Sequence, residues 1–310
     1  MKPKTLSLIH VNSAVFLWGL TLMFPKGIAM SPEGIVCFRA LIAAAVLTIF
    51  LKATGGPLGV KRPKDYWVMG VLGVLMCVHW VTLFTALQLA DAAVVIVALN
   101  TYPALTAIAE PLAFGKRPRL MDVVLAVVVL VGVLIMLPVS SSEGPAAFAI
   151  VLGGVRIALP RISFDSPATI AVVLAVVSGA LFASRNIVIR KYAKGYSGST
   201  LMFWQTLITC LCLLPFIPTT AEPYSVRAIG LLVALGVVFT ALPQSLYAAG
   251  LRHLSAKTVG ILSLMQVVYG AFWGYLLFTE TISLRTTIGG CIILACILLE
   301  TIRLAERKPS

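Results

Sequence analysis

Long apolar stretches separated by short polar breaks run along almost the whole chain. There are ten of them, and a single apolar stretch of about twenty residues is already typical of a helix that crosses a membrane. The predicted spans are 7–24, 33–52, 65–88, 92–113, 120–138, 168–191, 198–217, 225–250, 256–278 and 285–302. The pattern predicts an all-α polytopic membrane protein with ten transmembrane helices.

The composition excludes most soluble classes of protein. Hydrophobic residues make up 60% of the chain and charged residues only 11%, with a mean hydropathy of +1.02, far from the values of soluble domains. After ten spans, the 310 residues leave no room for a soluble catalytic domain. All six cysteines fall inside apolar spans without metal-ligand spacing, so we expect buried thiols and no metal or other cofactor.

The basic residues have a topological pattern. A net charge of +13 would also suit a nucleic-acid-binding protein, but here the basic residues lie in the breaks between apolar spans. Of 24 Lys and Arg residues, 17 lie in one alternating set of breaks, five in the other and two within spans. The positive-inside rule then puts both termini in the cytoplasm. We expect a bacterial inner-membrane protein, monomeric or weakly dimeric, whose partners are lipid and a small-molecule substrate but not nucleic acid.

One break is much longer than the others and divides the chain. It covers 139–167, and its apolar part Ala146–Leu159 is too short to span a membrane. A surface-lying segment, an external plug and a packed external loop all remain open for this part. The predicted organisation is a first five-helix repeat at 1–138, this external connection, and a second five-helix repeat at 168–310.

A weak internal repeat supports that division. A shift of 164 residues places Ala92 on Ala256 and Leu120 on Leu284. The same shift places the basic segment 116–119 on 280–283, which begins with an acidic residue. Because five spans is an odd number, the two halves must insert in opposite orientations, as in many secondary transporters. The alternative is that two hydrophobic halves align by chance.

Several short motifs, in their order and spacing across the ten spans, carry a family resemblance. They are Trp18-Gly19, Phe38-Arg39-Ala40, Ala86-Leu87, Asp91-Ala92, Pro103 and Phe278-Thr279-Glu280. The chain resembles the EamA-type family of the drug/metabolite transporter superfamily. The resemblance implies two inverted five-helix halves around a central cavity, which move small organic metabolites by alternating access. Lys116 stands where the family often has Glu, so we assign that position no shared coupling role.

Two arginines lie inside predicted spans. A charge at bilayer depth costs about 2.5–3.5 kcal/mol on insertion scales, so such a residue usually faces a cavity or a partner. Arg39 is predicted either to clamp an anionic substrate, to pair with Glu33 or Glu110, or to extend outward to the interface. Arg185 is predicted either to bind substrate or to extend toward the cytoplasm.

Two residues are candidates for proton coupling. His79 lies near the middle of the third span, where it either binds substrate or a proton, or is a structural imidazole bonded to a neighbouring helix. Glu110 lies about a turn from the end of the fourth span, where it is either a protonatable gate or a partner of Lys116. No aspartate lies near the middle of a span.

The remaining site candidates are amide and aromatic side chains within spans. Pro103 removes a backbone donor and can loosen its helix at a depth where freed carbonyls are tolerated only beside a cavity. Gln266 and Tyr269 share one helix face by their spacing. The predicted substrate-binding residues, besides Arg39, His79 and Arg185, are Trp18, Trp80, Asn100, Tyr102, Gln205, Gln244, Tyr247, Gln266 and Tyr269.

These observations favour a secondary transporter, an exporter or exchanger of a small organic metabolite. The arginines favour a carboxylate and the aromatic side chains a partly apolar body, so amino acids or related compounds fit best. A multidrug carrier or a vitamin- or nucleoside-type carrier is the alternative. An integral membrane enzyme is less favoured, because no metalloprotease or nucleophile-elbow motif occurs.

Overall fold

The computed structural model describes residues 3–137, 148–152, 155–159, 166–193, 195–217, 225–250 and 256–306. The α-helices in these ranges are α1 (Pro3–Thr21), α2 (Phe24–Gly27), α3 (Pro32–Ala53), α4 (Asp65–Leu89), α5 (Ala92–Leu99), α6 (Tyr102–Ala113), α7 (Leu120–Met136), α8 (Pro167–Tyr192), α9 (Gly198–Leu213), α10 (Val226–Gly236), α11 (Leu242–Gly250), α12 (Ala256–Phe278) and α13 (Leu284–Glu306). A 3₁₀ turn follows α9 at Leu214–Phe216, and a π-helical turn joins α10 to α11 at Val237–Ala241.

The helices have the length and composition of a polytopic membrane protein. Within the described ranges, seven helical segments are long and apolar enough to cross a bilayer, and three shorter apolar helices accompany them, at Leu120–Met136, Leu262–Phe278 and Leu284–Leu299. Large apolar side chains also cover the outside of the bundle: Leu120 is 80% exposed and Ile49 is 69% exposed. An apolar surface of this extent is unfavourable in water and favourable in lipid. The chain is an integral membrane protein.

Helices from the two halves of the chain interleave. Helix α4 packs on α8 and α9, α3 packs on α9 and α10, and α1 packs on α11 and α12. Helix α5 lies between α8 and α12, and its residues from Ala92 to Leu99 are buried except for Val94. The core of the bundle therefore forms where first-half and second-half helices meet.

Helix starts recur at the spacing of the sequence repeat. Helices α7 and α13 begin 164 residues apart, at 120 and 284, and Ala92 at the start of α5 corresponds to Ala256 in α12. The backbone repeats as well: Gly115 has φ +70° and its counterpart Thr279 has φ +54°. A threonine in this left-handed region is uncommon, because its Cβ is crowded there.

At one face of the bundle, a buried carboxylate joins three segments. Glu280 accepts a 2.5 Å bond from Lys26 Nζ and a 2.9 Å bond from the backbone N–H of Ala92, the first residue of α5. Its side chain is 5% exposed, and Asp91 adds a second carboxylate 3.5 Å from Lys26. A carboxylate at a helix N-terminus is stabilised by the unpaired N–H groups there. This cluster ties α5 to the turn between α12 and α13.

Ion pairs and hydrogen bonds also hold the opposite face. Glu110 pairs with Arg190 of α8 rather than with Lys116, the partner that the sequence predicted. Nearby, Asp65 accepts bonds from Arg62 and from the Tyr196 hydroxyl, the latter at 2.6 Å. The Asp65 carboxylate raises the pKa of Arg62 by hydrogen bonding.

Two details differ from the sequence prediction. In the long connection, Phe148–Leu152 and Val155–Leu159 form an antiparallel pair of strands, with Leu152 opposite Val155, so the described chain is not all-α as the sequence predicted. The six cysteines are free, as expected, but Cys212 and Cys291 are exposed on the apolar outside rather than buried.

The fourth predicted span is interrupted near its middle, as Pro103 led us to expect. Helix α5 ends at Leu99 and α6 begins at Tyr102. Helix α8 packs closely on this break at Gly179, where an added Cβ would lie 2.8 Å from the Leu99 carbonyl oxygen. The missing side chain therefore allows α8 to pack against the interruption.

Gly179→Ala should lower the free energy of unfolding by about 1–3 kcal/mol, because the new methyl group meets a backbone atom that cannot move easily. Gly70→Ala is the matched control, since no atom lies within 4 Å of its added Cβ. Thermal unfolding in detergent should show a lower midpoint for Gly179→Ala only. Equal midpoints for the two variants would contradict the close packing.

Candidate functional site

A cavity of about 260 Å³ lies among helices of both halves. Its walls come from α1, α3, α4, the α5–α6 break, α8, α9, the π turn, α11 and α12, whereas α7 and α13 contribute nothing to it. The lining residues are Trp18, Thr21, Leu22, Arg39, Met76, His79, Trp80, Leu83, Phe84, Leu99, Asn100, Tyr102, Phe182, Arg185, Asn186, Met202, Thr240, Gln244, Tyr247, Ser263 and Gln266.

Arg39 is the most unusual of these residues. It is 4% exposed, and within the described part of the chain it forms neither a hydrogen bond nor an ion pair, and its Nε is buried without a partner. Its guanidinium stacks instead on Trp80 at 4.1 Å and on Phe84 at 4.8 Å. Aromatic faces attract a cation but accept no strong hydrogen bond. The pairing with Glu33 or Glu110 considered from the sequence is not formed.

His79 is held by a residue of the other half of the chain. Its Nδ1 lies 2.7 Å from the Ser178 hydroxyl and 3.0 Å from the Ser178 carbonyl oxygen, and that hydroxyl donates to the His79 carbonyl oxygen at 2.9 Å. Because a carbonyl oxygen can only accept, the contact with the Ser178 carbonyl assigns the imidazole proton to Nδ1. Nε2 then remains as an acceptor on a ring that also lines the cavity.

Arg185 is fixed by two amides. Its Nε donates to Gln205 Oε1 at 2.5 Å and its Nη1 donates to Asn186 Oδ1 at 3.0 Å. Gln205 is fully buried on α9, and its own amide donates to the Leu201 carbonyl oxygen. Arg185 therefore points into the cavity rather than toward the end of its helix.

Interruptions in two helices bring polar groups to the cavity. At the end of α5, Asn100 Nδ2 donates to the Ile96 carbonyl oxygen at 2.7 Å. In the π turn, Thr240 Oγ1 donates to the Leu235 carbonyl oxygen at 2.7 Å. Each side chain binds a carbonyl near the interruption, and π turns are frequent at functional sites.

Aromatic rings form much of the remaining wall. Phe182 contacts both His79 and Tyr102, with ring centroids 5.1 Å away in each case. Trp18 lies against Tyr247 at 5.0 Å. The cavity thus combines two guanidinium groups with flat apolar surfaces, a combination that suits a small molecule with an acidic group and an apolar body.

The structure brings most of the sequence candidates together. Ten line the cavity, and they are Trp18, Arg39, His79, Trp80, Asn100, Tyr102, Arg185, Gln244, Tyr247 and Gln266. Gln205 does not line it but supports Arg185. Tyr269 does not line it either: its hydroxyl donates to Asn12 at 2.9 Å and its ring packs on Phe16. Glu110 lies in the ion pair with Arg190.

Sequence reasoning missed several lining residues. Phe182 and Phe84 resemble ordinary core residues in an apolar span, and nothing in the one-dimensional pattern separates them from lipid-facing residues. Phe182 lies three residues before Arg185, so helical spacing puts both on one face of α8. That spacing was the one sequence signal that could have identified Phe182 as a lining residue. Among the described residues, no group of three or more His, Cys, Asp or Glu could hold a metal ion.

Comparison with known proteins identifies the family. The model of the EamA-like transporter family matches this chain twice, at residues 6–137 and 169–301. The chain belongs to the EamA-like transporter family. The family match, together with relatives that are named as exporters, identifies the protein as a membrane transporter and not an enzyme.

Two kinds of relative illustrate the membership. Pseudopaline exporter CntI from two strains of Pseudomonas aeruginosa is 26% identical over 269 residues, covering 86% of this chain and 85% of that protein. An uncharacterized transporter of Archaeoglobus fulgidus is 31% identical over 125 residues, which is 40% of this chain and 45% of that protein. A solved crystal structure matches 98% of this chain and 99% of its own, with a TM-score of 0.61 and 20% identity, so it shares the fold.

The His79 geometry in this EamA-like protein predicts a specific tautomer. In ¹⁵N-histidine NMR spectra, His79 should show a protonated Nδ1, and Ser178→Ala should shift that signal because a hydroxyl 2.7 Å away is lost. Ser184→Ala is the control, because its hydroxyl bonds only within its own helix, to the Ala180 carbonyl oxygen. His79→Gln assigns the signal. An Nε2-protonated ring would show that the bonding is reversed.

Proposed function

We propose that this transporter moves a small organic molecule bearing a carboxylate, and that Arg39 binds the carboxylate. The proposal rests on the Arg39 guanidinium, which is 4% exposed, lines the cavity and has no hydrogen-bonded or charged partner among the described residues. A buried charge without a partner is costly, so proteins usually keep it for a ligand. A carboxylate offers the two parallel acceptors that a guanidinium prefers.

The proposed mechanism is alternating access between two inverted five-helix repeats, 1–138 and 168–310, joined by the 139–167 connection. The starts of α7 and α13, which lie 164 residues apart, support it, as does the double match of the family model. Helix packing is also symmetric under exchange of the halves: α4 packs on α8 as α1 packs on α11, and α6 packs on α8 as α1 packs on α12. Ten crossings follow from five in each repeat.

The proposed direction is export across a bacterial inner membrane, with both termini in the cytoplasm. The name of the Pseudomonas aeruginosa relative supports export. The 17-to-5 distribution of basic residues supports the orientation. Of the two proton-coupling candidates, His79 is the better placed, because its ring lines the cavity while Glu110 is paired with Arg190.

Arg39→Gln should reduce counterflow of carboxylate substrates in proteoliposomes by about thirtyfold or more. Removing one partner of a buried charge pair costs about 2–5 kcal/mol. Arg285→Gln is the matched control, since Arg285 lies outside the cavity and contacts the Leu137 carbonyl oxygen. Unchanged transport in a folded Arg39→Gln protein would refute the assignment.

Reporters fused to the two ends of the chain should both lie on the cytoplasmic side. An even number of crossings and the basic residues in the breaks require this. Fluorescence of a protein that matures only in the cytoplasm measures it for each fusion. A reporter between the two repeats, in the 139–167 connection, should be silent and serves as the control. Ends on opposite sides would exclude two five-helix repeats.

A further inference from the structure

The cavity has an unbalanced charge. Two of its 21 lining residues, Arg39 and Arg185, carry guanidinium groups, and none of the lining residues is Asp or Glu. Both guanidinium groups line the same cavity as the His79 ring, so they belong to one site. The lining therefore presents two positive charges and no protein charge to balance them.

Neither arginine is neutralised from behind the cavity wall. Arg39 rests on Trp80 and Phe84 without a hydrogen-bonded partner in the described structure. Arg185 is bonded to the amide oxygens of Gln205 and Asn186, which fix its direction but carry no charge. Within the described ranges, the acidic ion-pair partners found are used elsewhere, as in the pairs of Glu280 with Lys26 and of Glu110 with Arg190.

We propose that the substrate carries two acidic groups, one for each arginine, on a small apolar frame. This rests on the proposed function and sharpens it. A dianion balances both guanidinium charges, and each can accept the forked hydrogen bonds of an arginine. The aromatic residues Trp80, Phe182 and Tyr247 supply flat apolar surface for the frame, and a cavity of about 260 Å³ limits its size.

A zwitterionic amino acid fits less well. Its carboxylate would balance one arginine, but its ammonium group would lie beside two cations with no carboxylate in the lining to accept it. Amide and imidazole acceptors such as Gln244, Gln266 and His79 supply hydrogen bonds without charge. The charge balance therefore favours diacids over the amino acids that the sequence first favoured.

Three probes that share one frame distinguish a preference for diacids from a preference for amino acids or monoacids. Benzylmalonate, phenylalanine and 3-phenylpropionate share a benzyl frame and differ in whether the second substituent is a carboxylate, an ammonium or a hydrogen. In counterflow inhibition and thermal-shift titration of the purified full chain, benzylmalonate should act at concentrations about tenfold lower than either of the others. An equal or stronger effect of phenylalanine would overturn the inference and leave the carboxylate transporter intact. No effect of any probe would overturn both.

Gln205→Glu tests the charge balance directly. It keeps the acceptor of the Arg185 Nε bond and adds one negative charge behind the cavity, so the preference should move from benzylmalonate toward 3-phenylpropionate by about tenfold. Gln88→Glu adds the same charge at an exposed site, beside the Pro25 and Met30 carbonyl oxygens, and should leave the preference unchanged. If Gln205→Glu folds poorly, Arg185→Gln is the second variant: it removes the cation and should move the preference in the same direction. An unchanged preference in both cavity-directed variants would contradict the assignment of one acidic group to each arginine.

Discussion

The structure depends on the requirement that backbone polar groups be bonded within the apolar interior. Helices satisfy this requirement over most of each span, and where a helix is interrupted, neighbouring polar groups can bind the carbonyls left over. At the end of α5, the Ile96 carbonyl oxygen accepts both the backbone N–H and the side-chain amide of Asn100. In the π turn, Thr240 binds the Leu235 carbonyl oxygen, and Thr21 of α1 reaches the Phe239 carbonyl oxygen at 3.3 Å, whose usual helical donor position, 243, is a proline. Both interruptions border the cavity. The site therefore lies where the helical pattern breaks, and the surrounding regular helices hold it in place.

Charged residues at the two faces of the bundle have different surroundings from those between the faces. At its two faces, carboxylates and cations are paired, as in Lys26 with Glu280 and Arg190 with Glu110. Such pairs hold helix ends together and leave little attraction for a ligand. Between the faces, the described residues around Arg39 and Arg185 supply aromatic rings and amides but no carboxylate. Arg39 and His79, for which the sequence left alternatives open, are thus distinguished by their surroundings and not by their depth alone.

Much of this arrangement follows from the sequence, and the rest depends on contacts between residues that are distant in the sequence. Apolar length locates the helices, and a charged or polar residue far from a span end identifies Arg39, His79 and Gln266 as cavity residues, because such groups avoid lipid. The bond between His79 and Ser178 joins positions 99 residues apart, which no local pattern reveals. Tyr269 shows the limit of periodicity. Three residues fall about 60° short of a full helical turn, so Tyr269 points away from Gln266 and contacts Asn12 instead of lining the cavity.

Charge balance also connects binding to movement. An empty cavity with two guanidinium groups is expensive to seal from water, because closing it removes the solvent that stabilises both charges. The proposed dianion would supply the missing counter-charge, so the loaded cavity would close at lower cost than the empty one. A ligand shifts a conformational equilibrium only by its differential affinity for the two states, and under this proposal that difference is the solvation of Arg39 and Arg185. Such a carrier would change face readily when loaded and slowly when empty, which is the behaviour of an exchanger. Exchange would then require no separate gate for the empty protein, since the two arginines themselves would oppose its closure.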